Sequence, residues 1–115
     1  MVSRHMLLGA SGEDAAARWY ERAGYDVIGR NWRCPEGELD LVLRRGRLVV
    51  FCEVKTRSSD RFGSPAEAVT YRKQARLRRL AARWLASGAA TSHWAVRFDV
   101  AAVRGNAVEV IEDAF

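Results

Sequence analysis

The sequence predicts a mixed α/β domain, and three observations carry that prediction. A helical apolar pattern opens the chain at 12–23, and a second one fills 64–86. Between them, residues 38–56 hold two strand-like runs rich in Leu and Val, broken by the turn signal Arg45-Gly46. After the second helix, Trp94, Val96, Phe98 and Val100 alternate as a strand would. With 115 residues, 49% of them hydrophobic, one domain spanning 1–115 can bury its own core without disulfides or a structural metal. Residues 1–7 read as a flexible start.

The elements follow in order. In the first helix Ala16, Trp19, Tyr20 and Ala23 share a face, and Gly24 stands where a C-terminal cap belongs. Residues 25–32 read as a strand. Residues 38–44 and 47–56 form a hairpin, and 56–63 is a polar loop. The second helix starts on a capping signature: Ser64 as cap, Pro65 as first helical residue and Glu67 completing a capping box. Its apolar stripe is Leu77, Leu80, Ala81, Trp84 and Leu85, with a bend expected at Thr70-Tyr71 and an end at Gly88. Arg104-Gly105-Asn106 then turns the chain into a last strand at 107–111. The order is αβββαββ.

Composition excludes several classes. No run approaches the roughly 20 apolar residues of a membrane span, and residues 1–6 lack the apolar core of a secretory leader. Cys34 and Cys52 form neither a disulfide framework nor a Cys-x-x-Cys pair, and two distant histidines complete no zinc pattern. A reduced, cytoplasmic protein is the expectation. The net charge of +5 and pI near 9.9 favour an anionic partner, nucleic acid first. Lys55 and Lys73 are the two lysines among 19 basic residues. Where arginine serves nearly everywhere, two retained ammonium groups mark positions where a compact or deprotonable charge is useful.

Strand geometry supplies the candidate chemistry. Val49, Phe51, Glu53 and Lys55 share one strand face. If Arg45 and Gly46 are the loop, Asp40 lies opposite Phe51 and Glu53 is its diagonal neighbour, about 7 Å away or less between Cβ atoms. Two carboxylates that close can share one cation, and without it one carboxyl should be pushed up. Mg²⁺ or Mn²⁺ on Asp40 and Glu53, with Lys55 beside an attacking water, is equipment for phosphodiester hydrolysis. Against this, Glu53 and Lys55 also fit a solvated ion pair of little worth.

The stretches Gly12-Glu13, Gly37-Glu38-Leu39-Asp40, residues 51–57 (Phe-Cys-Glu-Val-Lys-Thr-Arg), residues 64–69 with Lys73, and residues 97–100 resemble the YraN family. That family is placed in the PD-(D/E)XK nuclease superfamily, near archaeal Holliday-junction resolvases, and the resemblance runs from about Leu8 to Phe115. It implies a restriction-endonuclease-like αβββαβ core. It also implies Asp40 and Glu53 as metal ligands, Lys55 as the catalytic lysine and Glu13 as a further carboxylate of the site. Leu39 stands where the superfamily motif has proline.

Other residues have a functional and a plain reading. Glu13 shares a helix face with Ala16 and Tyr20, yet a first-turn acid also complements the helix dipole. Glu38 reads as a third ligand, as a base or as a solvated strand residue. Lys73, Arg57, Arg61, Arg72 and Arg76 are candidate contacts to nucleic acid, and Arg72, Arg76, Arg79 and Arg83 form a stripe that equally suits the wet face of a helix. Arg30-Asn31-Trp32-Arg33 could stack a base, although Trp32 reads better as core. The leading expectation is an endonuclease on DNA, branched or structured, with DNA favoured over RNA, no membrane partner and a homodimer suited to cutting two strands. Its competitors are a non-catalytic nucleic-acid-binding module of the same fold and a protein-interaction adaptor.

Overall fold

The computed structural model describes residues 4–57, 69–89 and 95–115, with side chains described from Gly12 onward. Its elements are α1 (Arg4–Arg22), β1 (Asp26–Cys34), β2 (Gly37–Arg45), β3 (Leu48–Thr56), α2 (Tyr71–Trp84), a π-helical turn (Leu85–Ala89), β4 (Ala95–Arg104) and β5 (Ala107–Ile111). The expected order is present. The five strands form one mixed sheet in sequence order, antiparallel except for the parallel pair β3–β4. A parallel return needs a crossover, and α2 lies within it.

Alternation along β3 sends its side chains into two cores. Val50 and Cys52 pack with Leu41, Leu43, Ala101 and Val103 beneath Ala16 and Tyr20 of α1. Val49 and Phe51 pack with Val42, Phe98 and Val100 against Leu77, Leu80, Ala81 and Trp84 of α2. The fold is therefore three layers, one helix on each sheet face. Trp32 packs against the second core, in keeping with its plain reading. Among the described residues no helix is long and apolar enough to cross a membrane.

Three details correct the sequence reading. The first helix begins at Arg4 and not near Gly12; Gly9, Ser11 and Gly12 are weak helix formers and hid this extension. The second helix is not continuous through Thr70, whose extended backbone (φ −67°, ψ 165°) makes it the N-cap of α2, accepting from the Lys73 amide. The Ser64, Pro65 and Glu67 signature lies outside the described residues, as does Arg61. In the β2–β3 hairpin Arg45 pairs with Leu48, so Gly46 and Arg47 form the loop. Gly46 has φ +60°, the left-handed backbone that favours glycine at the first position of a two-residue hairpin turn.

Candidate functional site

That register brings Asp40 and Glu53 closer than expected. The ladder runs Arg45–Leu48 to Leu41–Cys52, and its continuation sets Asp40 directly across from Glu53. Backbone pairing between the two strands stops there, and the Asp40 carboxylate itself accepts the Val54 amide at 2.9 Å. Beyond Cys52, β3 continues beside β4 as far as Thr56. The start of β2 and the end of β3 thus border a gap that both helical layers can reach.

From one layer comes Glu13 of α1. Close packing permits this: a Cβ built on Gly12 would lie 2.2 Å from Thr56 Oγ1, so only glycine lets α1 sit this near β3. Glu13, Glu38 and Asp40 each offer a carboxylate oxygen, and these three oxygens lie within 4.8 Å of one another. From the other layer come Lys73 and Arg76 of α2. They line a half-open cleft of about 260 Å³ together with Gly37, Glu38, Asp40, Glu53 and Leu77.

The electrostatics are strained in a specific direction. Burial, then the Glu53 carboxylate, pushes Asp40 up to about 7; the Val54 N–H opposes this, while Glu13 and Glu38 add to it. Burial also raises Glu13, offset by a hydrogen bond with Asn31. Lys55 Nζ lies 3.4 Å from Glu53 Oε1. The Lys73 amine is within hydrogen-bonding reach of Lys55, and this is the main reason it sits below the usual lysine range. The two lysines of the chain are therefore neighbours, one on β3 and one on α2.

Of the expected ligands, Asp40 and Glu13 come together, but their third companion is Glu38. Glu53 lines the same cleft with its carboxylate turned to Lys55. These three residues offer hard oxygen donors, the ligand type that a divalent cation such as Mg²⁺ or Mn²⁺ takes. Glu38 also accepts from Arg33 Nε at 2.6 Å, and Arg30 donates to Asp14, so both arginines flanking Trp32 are engaged in ion pairs. Arg57 has its amide on the Val103 carbonyl at 2.8 Å. Arg72 is exposed. Asn31 was missed in the sequence; among the described residues it is one of two non-glycine residues with positive φ, at 51°, and asparagine is among the residues that tolerate this.

The profile of the uncharacterised protein family UPF0102 matches residues 12–103, a span that includes Glu13, Glu38, Asp40, Glu53, Lys55 and Lys73. A UPF0102 protein of Beutenbergia cavernae is 62% identical over 96 residues, covering 84% of this chain and 80% of the relative. One from Frankia casuarinae is 61% identical over 93 residues, covering 81% and 78%. One from Rhodococcus opacus is 47% identical over 120 aligned positions, covering 99% of this chain and all of the relative. With a profile over most of its length and relatives this similar, the chain belongs to the UPF0102 family.

Proposed function

We propose that the protein is a Mg²⁺- or Mn²⁺-dependent endonuclease of the PD-(D/E)XK type, hydrolysing phosphodiester bonds in branched or otherwise structured DNA. One observation carries this reading: four carboxylates gathered at the strand gap beside the chain's two lysines. Each half of that arrangement is unfavourable alone. Asp40 is pushed towards its neutral form by burial and then by its acidic neighbours, and Lys73 towards its neutral form by Lys55. A cation would relieve the first and a phosphate the second, and a phosphodiester bound together with a cation would present both.

The ion, when present, supplies a nucleophilic water at neutral pH and offsets charge gathering on the phosphate. The residues do the rest. Asp40, Glu13 and Glu38 would hold it. Lys73 and Arg76 face the phosphate oxygens across the cleft. Lys55, oriented by Glu53, stands beside the attacking side as a proton carrier or hydrogen-bond donor.

The test is incubation with branched, single-stranded and duplex DNA, with and without Mn²⁺. Metal-dependent cleavage, lost in Asp40→Ala and Lys55→Ala, is the expected result. Salt-sensitive binding with no cleavage, indifferent to both substitutions, would replace the nuclease by a non-catalytic binding module. Absence of binding to any nucleic acid near 50 mM salt, where phosphate contacts are strong, would leave a protein-interaction adaptor.

A further inference from the structure

The basic stripe of α2 is divided. Arg79 Nε lies 3.6 Å from one Glu36 oxygen, and Arg83 Nη1 donates to the other at 2.8 Å. Glu36 stands in the two-residue turn between β1 and β2, where Cys34 pairs with Gly37. The hairpin tip is seated on the helix: a Cβ on Gly37 would lie 3.4 Å from Leu80 Cδ1 and 3.8 Å from Arg76 Cδ. Towards the start of the helix, Arg72, Lys73 and Arg76 enter no ion pair among the described residues. The start of the helix therefore presents three positive charges outside any ion pair, whereas the last two arginines of the stripe share one negative charge and Arg78 beside them lies over the Phe98 and Phe115 rings.

We infer that Glu36 ends the phosphate-contacting surface at Arg76, confining one nucleic-acid strand to the first two turns of α2. Residues 72–76 cover about 6 Å of helix axis, close to two steps of a strand that rises roughly 3.4 Å per nucleotide. Arg79 and Arg83 lie further along the same helix but are both held on the Glu36 carboxylate, which halves their net charge and places a negative group where a following backbone would run. The footprint on this side of the cleft is short because of one glutamate in a hairpin turn. This rests on the nucleic-acid part of the proposed function and not on turnover.

The measurement is the salt dependence of binding to a fluorescein-labelled oligo-dT strand between 50 and 200 mM salt, with Ca²⁺ as the divalent ion. Replacing Arg72 or Arg76 by Gln should flatten the log–log slope by about 0.7 each, the single-strand value per phosphate. Glu36→Gln should steepen it by up to about 1.4, two further phosphates, and tighten binding several-fold at the lowest salt. Arg79→Gln with Arg83→Gln should leave the wild-type slope unchanged yet abolish the gain in the Glu36→Gln background. An unchanged slope in Glu36→Gln overturns the inference, as does loss of slope from Arg79→Gln and Arg83→Gln equal to that from Arg72→Gln and Arg76→Gln. No detectable binding at 50 mM salt overturns it too. A protein that gives the expected slopes but never cuts DNA keeps this surface and loses the nuclease reading. One whose cutting fails in Asp40→Ala while Glu36→Gln changes nothing does the reverse.

Discussion

Two aspartates in the same sheet live under opposite conditions. Asp99 is fully buried and fully satisfied. It accepts from Tyr20 OH at 2.7 Å, from Arg97 Nε and Nη2 at 2.8 and 2.9 Å, and from the Asp113 amide at 3.0 Å. Asp40 is half-buried, accepts one amide, and faces three other carboxylates. The first arrangement ties α1, β4 and the chain's C-terminal segment together. The second holds like charges together at a cost in folding free energy, which is reasonable only where something else arrives to relieve it. Satisfaction marks structure, and its absence marks the place to look for a ligand.

Breaking Asp99 should have the largest effect. Asp99→Ala leaves the Arg97 guanidinium and the Tyr20 hydroxyl facing each other without their acceptor, and urea denaturation should show a loss of about 3–5 kcal/mol. Asp40→Asn should act in the opposite sense. In the absence of divalent ions at pH 8 it should gain roughly 1–3 kcal/mol, the value reduced for partial solvent access. The pH dependence sharpens the contrast. A carboxyl with a folded-state pKa of about 7 and an unfolded value near ~3.9 binds its proton more tightly when folded. The stability it confers is therefore complete below about 4 and is lost as the pH rises through about 7. Wild type minus Asp40→Asn should show that decline across pH 4–7.5, and saturating Mn²⁺ should reverse it in the wild type alone.

A smaller effect is expected at the close approach of α1. Gly12→Ala places a methyl group against Thr56 Oγ1 and should cost about 1–3 kcal/mol, with weaker Mn²⁺ binding by calorimetry because Glu13 moves with the helix. Thr56→Ala in the same chain should restore most of both. The smallest change belongs to the exposed pair of Arg30 with Asp14: Arg30→Ala should shift stability by less than about 1 kcal/mol.

Much of the architecture was legible because its signals are periodic. The alternation in β3 separated Phe51, Glu53 and Lys55 from Val50 and Cys52, and the glycine after α1 marked its end, where Gly24 takes φ +90°. The acids of the candidate site were legible for the same reason. What the sequence concealed depends on single backbone choices. Moving the hairpin loop one residue, to Gly46-Arg47, shifted the Asp40 partner from Phe51 to Glu53. Thr70, where only a bend was expected, is the cap at which α2 starts. The division of the basic stripe could not be foreseen from periodicity, since Glu36 reaches Arg83 across 47 positions of sequence. Asn31 left only its residue type as a clue, and that type is common in turns as well.

The bond from the Val54 amide to the Asp40 carboxylate has a spectroscopic consequence. An amide proton shared with a carboxylate moves in chemical shift when that carboxylate gains or loses its proton, so the Val54 cross-peak should report the charge state of the cleft. It should titrate near neutrality without added ions and lose that inflection once a divalent cation holds the carboxylate ionised.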